Sequence, residues 1–392
     1  MAAPMEPGGG SGPAWEQAPV FVYSEEDLIR AGVRWGGSGS GSGSRFDTAL
    51  LSAWEERLSA GCFRYRLPRR GLPSRVLPGP RGLVVQLNPE RARERRPPQE
   101  ILSLRQPFDP QRFNFTRIPA QEVLFRLRRR GLGEAGDVDE AEAEALLVIN
   151  VSPLEWGHVL LLPEPSRRLP QLLTRESVLR ALELLFLSSD PGFRVGFNSL
   201  GAEASVNHLH LHGYYLGQRL ELEWAATRPL LESGAQASAQ FLPVHLLSEH
   251  PAGGLVLYTD GGDGGLARAA HTLHALTGLL IRRSLAHNLF LTRGCPLGSP
   301  APGPASSGDR DGARIVLWPR RSCFGAKDPT AFTVALCELA GHWPLKTPQE
   351  YSSLTEEQAL GMVRRYSLPE EEYSQLLWEI TQLLQDDQQE QR

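Results

Sequence analysis

Ser205-Val206-Asn207-His208-Leu209-His210-Leu211-His212-Gly213-Tyr214-Tyr215-Leu216 sets three histidines in alternation with two leucines. A strand turns successive side chains to opposite faces, so the alternation predicts a strand. Leu209 and Leu211 then enter a core, and His208, His210 and His212 line the other face. At the rise of a strand the outer two rings lie about 13 Å apart. A helix would turn residues two apart by about 200° and scatter the rings.

Three uses are open to such a row. Two histidines at i and i+2 can bind zinc, but a further ligand is needed. The next residues are Gly213, Tyr214, Tyr215, Leu216 and Gly217, so no carboxylate follows on cue. A neutral imidazole nitrogen is also a nucleophile near pH 7, and its neighbours can donate to phosphate oxygens. The third use is a polar sheet face with no task. Three rings in register, in a chain of 392 residues with 10 histidines, favour the nucleophile.

Working outward, Leu146–Val151 and Val159–Leu162 read as buried strands, the second opened by Gly157-His158 and closed by Pro163. Ser177–Ser189 is helical, with Val178, Leu182, Leu185 and Phe186 on one side, and Pro191-Gly192 breaks it. Phe193–Asn198 is a strand and Gly201–Ala204 a turn before the histidines. Short antiparallel connections with one helix predict an α+β unit rather than a doubly wound sheet.

Something similar recurs after a loop region at 217–252. Leu255–Tyr258 reads as a strand, Leu266–Ser284 as an amphipathic helix, and Asn288–Thr292 and Ile315–Trp318 as strands. The expectation is a fused double unit whose second copy, over 217–352, lacks the histidine row. His287 on its strand reads as structural. Residues 46–216 form the catalytic half, opened by a helix with Phe46, Leu50, Trp54 and Leu58 in step and Gly61 as its stop.

Residues 1–45 carry Gly/Ser tracts at 8–12 and 36–44 and read as a flexible arm. Between the tracts, Phe21-Val22-Tyr23 and Leu28-Ile29 could dock. Phe63 to Pro80 reads as irregular and Gly82–Asn88 as a strand. Arg91, Arg93, Arg95 and Arg96 form a short basic run, either a solvated loop or a contact to substrate phosphate. Phe113-Asn114-Phe115 reads as a strand of core aromatics or as a frame for a base, since the amide offers a donor and an acceptor. Val123, Phe125 and Leu127 predict another strand, and Glu134–Glu144 an acidic surface loop. In 353–392, Ser353-Leu-Thr-Glu356 and Ser367-Leu-Pro-Glu370 fit capping boxes for two terminal helices before a polar tail.

Composition narrows the class. Apolar content of 41% and charge of 22% belong to a globular protein, and a net charge of -4 supplies no bulk field for nucleic acid or membrane. Of 41 basic residues only Lys327 and Lys346 are lysines, so nearly every basic site can grip phosphate bidentately. Four cysteines without CxxC or zinc spacing predict reduced thiols and a cytoplasmic protein. No signal peptide is visible, and no run approaches the 18 apolar residues of a membrane span.

The histidine row resembles the histidine-triad superfamily, whose motif alternates His with apolar residues. Asn150-Val-Ser-Pro153-Leu-Glu-Trp-Gly157-His158-Val-Leu-Leu-Leu-Pro163 looks like that superfamily's upstream signature, and Asn198, Gly201 and Ser205 sit where it places an Asn, a Gly and a Ser. Gln86-Leu87-Asn88, Gln106-Pro107-Phe108-Asp109, Phe113-Asn114-Phe115 and Glu338-Leu-Ala-Gly341-His342 look like the GDP-hexose phosphorylases, a branch near galactose-1-phosphate uridylyltransferase. The plant members carry Gln where this chain has His212. The animal members, with the full triad, act on GDP-D-glucose. The resemblance implies a histidine-triad-like antiparallel sheet and a nucleotidyltransferase needing no metal and no cofactor. Its substrates would be GDP-D-glucose and inorganic phosphate. His210 would be the nucleophile, and His208 would orient the strand and hold a ring in the correct tautomer. His212 and His158 would donate to phosphate oxygens. Ser205, Asn198 and Gly157 would bind substrate, and Asn114 would lie near the guanine. A fused double unit would act as a monomer. The residues leave open another nucleotide sugar or dinucleotide as substrate, hydrolysis in place of phosphorolysis, or a metal-binding or interaction role.

Overall fold

The computed structural model describes residues 14–36, 43–68, 71–130, 144–231, 237–262, 264–298, 310–325 and 332–386. In chain order the elements are β1 (Val20–Tyr23), α1 (Arg45–Ser59), β2 (Ser74–Val76), β3 (Val84–Leu87), α2 (Pro89–Glu94), β4 (Val123–Arg129), β5 (Ala145–Ile149), β6 (Val159–Pro163), α3 (Arg175–Leu187), β7 (Phe193–Asn198) and β8 (Leu211–Tyr215). There follow β9 (Thr227–Pro229), β10 (His245–Leu247), β11 (Leu255–Thr259), α4 (Gly265–Arg282), β12 (Ala286–Gly294), β13 (Gly312–Arg320), α5 (Leu336–Leu339), β14 (His342–Leu345), α6 (Pro348–Ser353), α7 (Glu356–Arg364) and α8 (Glu370–Gln385).

Eleven strands make one sheet in the order β1-β4-β5-β6-β8-β7-β12-β13-β11-β10-β9. The order contains a repeat. Strands β4, β5 and β6, then α3, then β7 and β8, line up as β4-β5-β6-β8-β7; strands β9, β10 and β11, then α4, then β12 and β13, line up as β9-β10-β11-β13-β12. The two α+β units join edge to edge where β7 runs antiparallel to β12, with Gly196 opposite Phe290 and Asn198 opposite Asn288.

One face of the sheet carries Leu161, Leu211, Val195, Leu291, Ile315 and Leu257, in one core with Leu182 and Leu185 of α3 and Leu273 and Leu276 of α4. The other face presents a cross-strand row of Leu160, His212, Gly196, Phe290, Val316 and Val256. Over its second-unit end lie β3, β14 and α5, in a core with Val85, Leu336 and Trp343. A small sheet β14-β3-β2 belongs to that cover. Its β2 corrects the expectation that Phe63 to Pro80 is irregular throughout.

Several other expectations change. Of the arm expected to be flexible over 1–45, residues 14–36 are docked. β1 pairs in parallel with β4, Tyr23 donates to Glu183 at 2.7 Å, and Trp35 Nε1 donates to Glu223 at 2.7 Å. Burial of Phe21, Tyr23 and Val33 supplies the apolar gain that offsets their ordering. The 8–12 tract lies outside the described residues, as do 37–42 of the second tract and 134–143 of the acidic segment. Helix α7 is capped by Thr355 with Gln358 rather than by Ser353 with Glu356. Helix α8 starts after Pro369 without a side-chain cap, because Ser367 Oγ donates to Pro251 O at 3.1 Å.

Candidate active site

The histidine row departs from a continuous strand. The β6 ladder ends at Leu161 opposite Leu211, so only His212 lies within β8. Before it the chain pairs with the segment that precedes α3. Leu209 N–H donates to Leu169 O at 2.9 Å, and the side chain of Gln171 takes the place of a strand. Its Oε1 accepts from His210 N–H at 2.9 Å, and its Nε2 donates to His210 O and Asn198 O at 3.0 Å each. Gln171 is wholly buried, so this amide clamps the backbone of His210 with no water competing. Leu209 and Leu211 still enter the core, as the alternation predicts.

Three of the imidazoles have their tautomer assigned by a backbone partner of fixed polarity, and the fourth follows from its neighbour. His210 Nδ1 lies 2.7 Å from His208 O; a carbonyl only accepts, so Nδ1 carries the proton and Nε2 keeps its lone pair. His208 Nδ1 accepts from Phe115 N–H at 3.0 Å, and its ring sits between Phe108 and Phe115. His158 Nδ1 accepts from Leu154 N–H at 2.8 Å, so its proton is on Nε2. That nitrogen lies 3.1 Å from His212 Nδ1, which must accept, leaving His212 with its N–H on Nε2. Two of the four rings thus form a relay from a backbone amide to His212.

His210 and His212 line a cavity of about 630 Å³, together with Ser205, Asn198, Phe115, Arg91 and Arg95. Burial holds the His210 imidazole down at about 4 and that of His208 at about 3. His158 and His212 are also held well below the usual range by burial. All four rings are therefore neutral at pH 7, and His210 is a free base with an unoccupied lone pair.

Asn198 is oriented from the second unit. Its Oδ1 accepts from Asn288 Nδ2 at 2.6 Å and Leu336 N–H at 3.0 Å, which turns the NH2 end toward the cavity. Arg320 in turn donates to Asn288 Oδ1 at 3.2 Å. Gly196, across from His212, has no room for a side chain: a Cβ would stand 3.0 Å from Leu336 Cδ1 and from Leu289 O. The wall formed by Phe332, Thr333, Leu336 and Glu338 also comes from the second unit. Burial pushes the Glu338 carboxyl up to about 7.

Not every expected residue reaches the cavity. His158 is fully buried with its Nε2 3.1 Å from His212 Nδ1, so it lies behind that ring and not on the cavity wall. Gly157 packs against Tyr215 and Leu51; at φ +67° it makes the turn into β6. Asn114 caps a 3-10 turn, its Oδ1 accepting from Thr116 N–H at 3.1 Å and its Nδ2 donating to Arg112 O at 3.1 Å. That segment is a turn and not a strand, because the amide satisfies its own backbone. It is Phe115 that faces the cavity.

The description "GDPGP1-like, N-terminal domain" matches residues 45–214, and "GDPGP1-like, C-terminal domain" matches residues 226–387. The chain is 48% identical over 357 residues to GDP-D-glucose phosphorylase 1 of Danio rerio, covering 91% of this chain and 96% of that protein. The chain belongs to the GDP-D-glucose phosphorylase family. It is 49% identical to the Homo sapiens GDP-D-glucose phosphorylase 1, over 90% of this chain and 88% of that one. GDP-L-galactose phosphorylase 2 of Arabidopsis thaliana is 28% identical over 84% of this chain and 74% of its own length. In fold the chain is similar to yeast Ap4A phosphorylase Apa2 in complex with Ap4A, with a TM-score of 0.51 and 16% identity over 82% of this chain and 97% of that one.

For this member of the GDP-D-glucose phosphorylase family, the residues that sequence reasoning missed are those that act through backbone. Gln171 is the chief one. Its only signal was a polar amide inside Leu169-Pro170-Gln171-Leu172-Leu173, where a buried glutamine needs partners on both ends. Asn207 is another: its Nδ2 donates to Gln106 O at 2.9 Å and Pro107 O at 2.8 Å, and its Oδ1 accepts from Gln171 N–H at 2.9 Å.

Proposed function

We propose that the chain phosphorolyses GDP-D-glucose to GDP and D-glucose 1-phosphate by two displacements at His210. The observation that carries this is the free Nε2 of His210 on the cavity wall, with Nδ1 tied to a carbonyl. Nε2 attacks the α-phosphorus. An N–P bond forms, and the bond from the α-phosphorus to the bridging oxygen breaks, releasing glucose 1-phosphate. The guanylyl-imidazole is cationic, and its Nδ1–H remains bonded to His208 O, which favours the charge as it develops. His212 Nε2–H, ordered by the relay through His158, donates to a non-bridging oxygen. The NH2 end of Asn198 and the hydroxyl of Ser205 face the same space. Inorganic phosphate then attacks the α-phosphorus, the N–P bond breaks, and the lone pair returns to Nε2. No proton has to move on or off His210 in either step, which suits a leaving group that is already a stable anion.

In this reading His208 acts through its carbonyl, Gly157 and His158 act by placing His212, and Asn114 acts by presenting Phe115 toward the guanylyl group. The double unit meets its own pairing need across β7 and β12, which supports a monomer. Cys62, Cys295, Cys323 and Cys337 are all free, which supports action in the cytoplasm. Among the described residues no helix is long and apolar enough to cross a membrane.

The test is to incubate the protein with GDP-D-glucose labelled on the α-phosphate, without inorganic phosphate, and to repeat it with other nucleotide sugars and a dinucleotide. Acid-labile label retained on protein from GDP-D-glucose, and discharged as GDP on adding phosphate, is expected. Label from a different donor in preference to GDP-D-glucose, or turnover with no label, would overturn the assignment.

A further inference from the structure

Both displacements occur at one phosphorus and one nucleophile. The group opposite His210 must therefore be the leaving β-phosphate in the first step and the incoming phosphate in the second. Water competes in that second step, and the four neutral imidazoles supply no net charge to favour an anion over it.

The cationic residues on the cavity wall are Arg91, Arg93, Arg95 and Arg96, from α2 and the two residues after it, and Lys346. Asn88 caps this short helix, its Oδ1 accepting from Arg91 N–H at 3.1 Å. The guanidinium of Arg91 donates to Ser152 O, which ties it to the loop before β6. Arg95 follows one turn later, its N–H donating to Arg91 O at 3.2 Å, and both side chains line the cavity that holds His210 and His212. The other two arginines of the run line the same cavity but already have partners. Arg93 is paired with Glu90, and the Arg96 guanidinium stacks 3.3 Å from the centre of the Phe113 ring. Among the described residues, the Arg95 side chain has neither a hydrogen-bond partner nor an ion pair. Its charge and that of Arg91 are felt at His212, where both help keep the ring neutral. The carboxylates whose charge is felt at Arg95 are Glu203 and Glu338, and burial pushes the Glu338 carboxyl up to about 7.

We infer that Arg91 and Arg95 form the subsite for the acceptor phosphate and set the choice of phosphate over water. This rests on the proposed double displacement. A phosphate dianion arrives with an oxygen already deprotonated. That oxygen bonds to the α-phosphorus, the N–P bond breaks, its electron pair returns to His210 Nε2, and GDP leaves. Water must lose a proton to the solvent and yields GMP. Two planar guanidiniums favour the first course by holding the dianion in line. The same pair would grip the β-phosphate of the donor, so the site handles one anion at a time.

The experiment forms the guanylyl-enzyme from α-labelled GDP-D-glucose and chases it with a fixed concentration of inorganic phosphate, counting GDP against GMP. Arg95→Gln should still take up the label but lower the GDP:GMP ratio by about tenfold or more, the worth of a hydrogen bond to a charged group. Arg95→Lys should recover part of the ratio, while Arg105→Gln, whose side chain donates to Ile281 O away from the cavity, should leave it unchanged. An unchanged ratio in the labelled Arg95→Gln enzyme would overturn the subsite. Absence of label in the wild-type protein would instead overturn the double displacement, so the two failures are distinct.

Discussion

In the first unit Leu160 and His212 border a cavity; past Gly196 the same row continues in the second as Phe290, Val316 and Val256 beneath Leu336, Val85 and Trp343. Both units have the same strand order, and their helices α3 and α4 back the same face. The difference lies in what covers the other face. The first unit is covered only in part, by Trp15, Phe115 and Ile118 over Leu146, Val148 and Leu160, which leaves a cavity bordered by imidazoles buried enough to stay neutral. The second fills that face with apolar side chains and so becomes a rigid support. That support reaches across the seam, since Asn288 and Leu336 orient Asn198. Under the proposed double displacement a duplicated fold divides its labour, one copy carrying the reactive base and the other holding the geometry.

The comparison can be broken most severely at His210. His210→Asn should lower turnover by about 10⁴-fold or more and abolish covalent label, while the protein stays folded. Rates within tenfold of wild type would mean that the first unit has no unique nucleophile. Next in size is a truncation in the second unit. Val316→Ala should lower unfolding free energy by about 2–3 kcal/mol in a denaturant titration, through lost burial and a residual cavity. Guanylylation by the folded fraction should be little changed; a proportionate loss of activity would place the second unit's core in the chemistry.

Smaller still is the effect at the seam. Asn288→Ala removes a donor that turns Asn198, and kcat of the folded protein should fall by about 10–100-fold, as misplacement of a positioned group does, with a loss of about 1–3 kcal/mol of stability from the buried groups left unpaired. An unchanged kcat would show that Asn198 needs no help from the second unit.

The smallest expected effect is none. With the neutral His210 as the proposed nucleophile and its imidazole held down at about 4 by burial, single-turnover guanylylation should be flat from pH 8 to pH 5.5. It should fall only as pH drops toward 4, whereas an ordinary histidine would give an inflection near 6.5. Stability follows the same sign. The unfolded chain binds protons below about 6.5 that the folded rings refuse, so stability is complete above that value and is lost as pH falls toward 4.

Much of this was legible in the chain because local periodicity is strong there. The alternation around His210, the helix of Val178 to Phe186 and the recurrence after Leu255 each identify an element and its buried side. What was not legible depends on partners far away in sequence. β3 pairs with β14 across more than 250 residues, and His342 reaches Gln86 at 3.2 Å only because it does. The strand before His212 stops early because Gln171, from another segment, supplies the hydrogen bonds that a strand would have supplied. Asn114 and the helix caps were misread because a polar side chain can serve its own backbone or a neighbour equally well, and only tertiary packing chooses.

The most direct measurement is the position and stoichiometry of the covalent group, by peptide mapping and phosphorus NMR of the labelled protein. The account predicts one guanylyl group per chain, joined as a phosphoramidate to Nε2 of His210. Label on any other residue, two groups per chain, or full turnover with an unlabelled protein would contradict it.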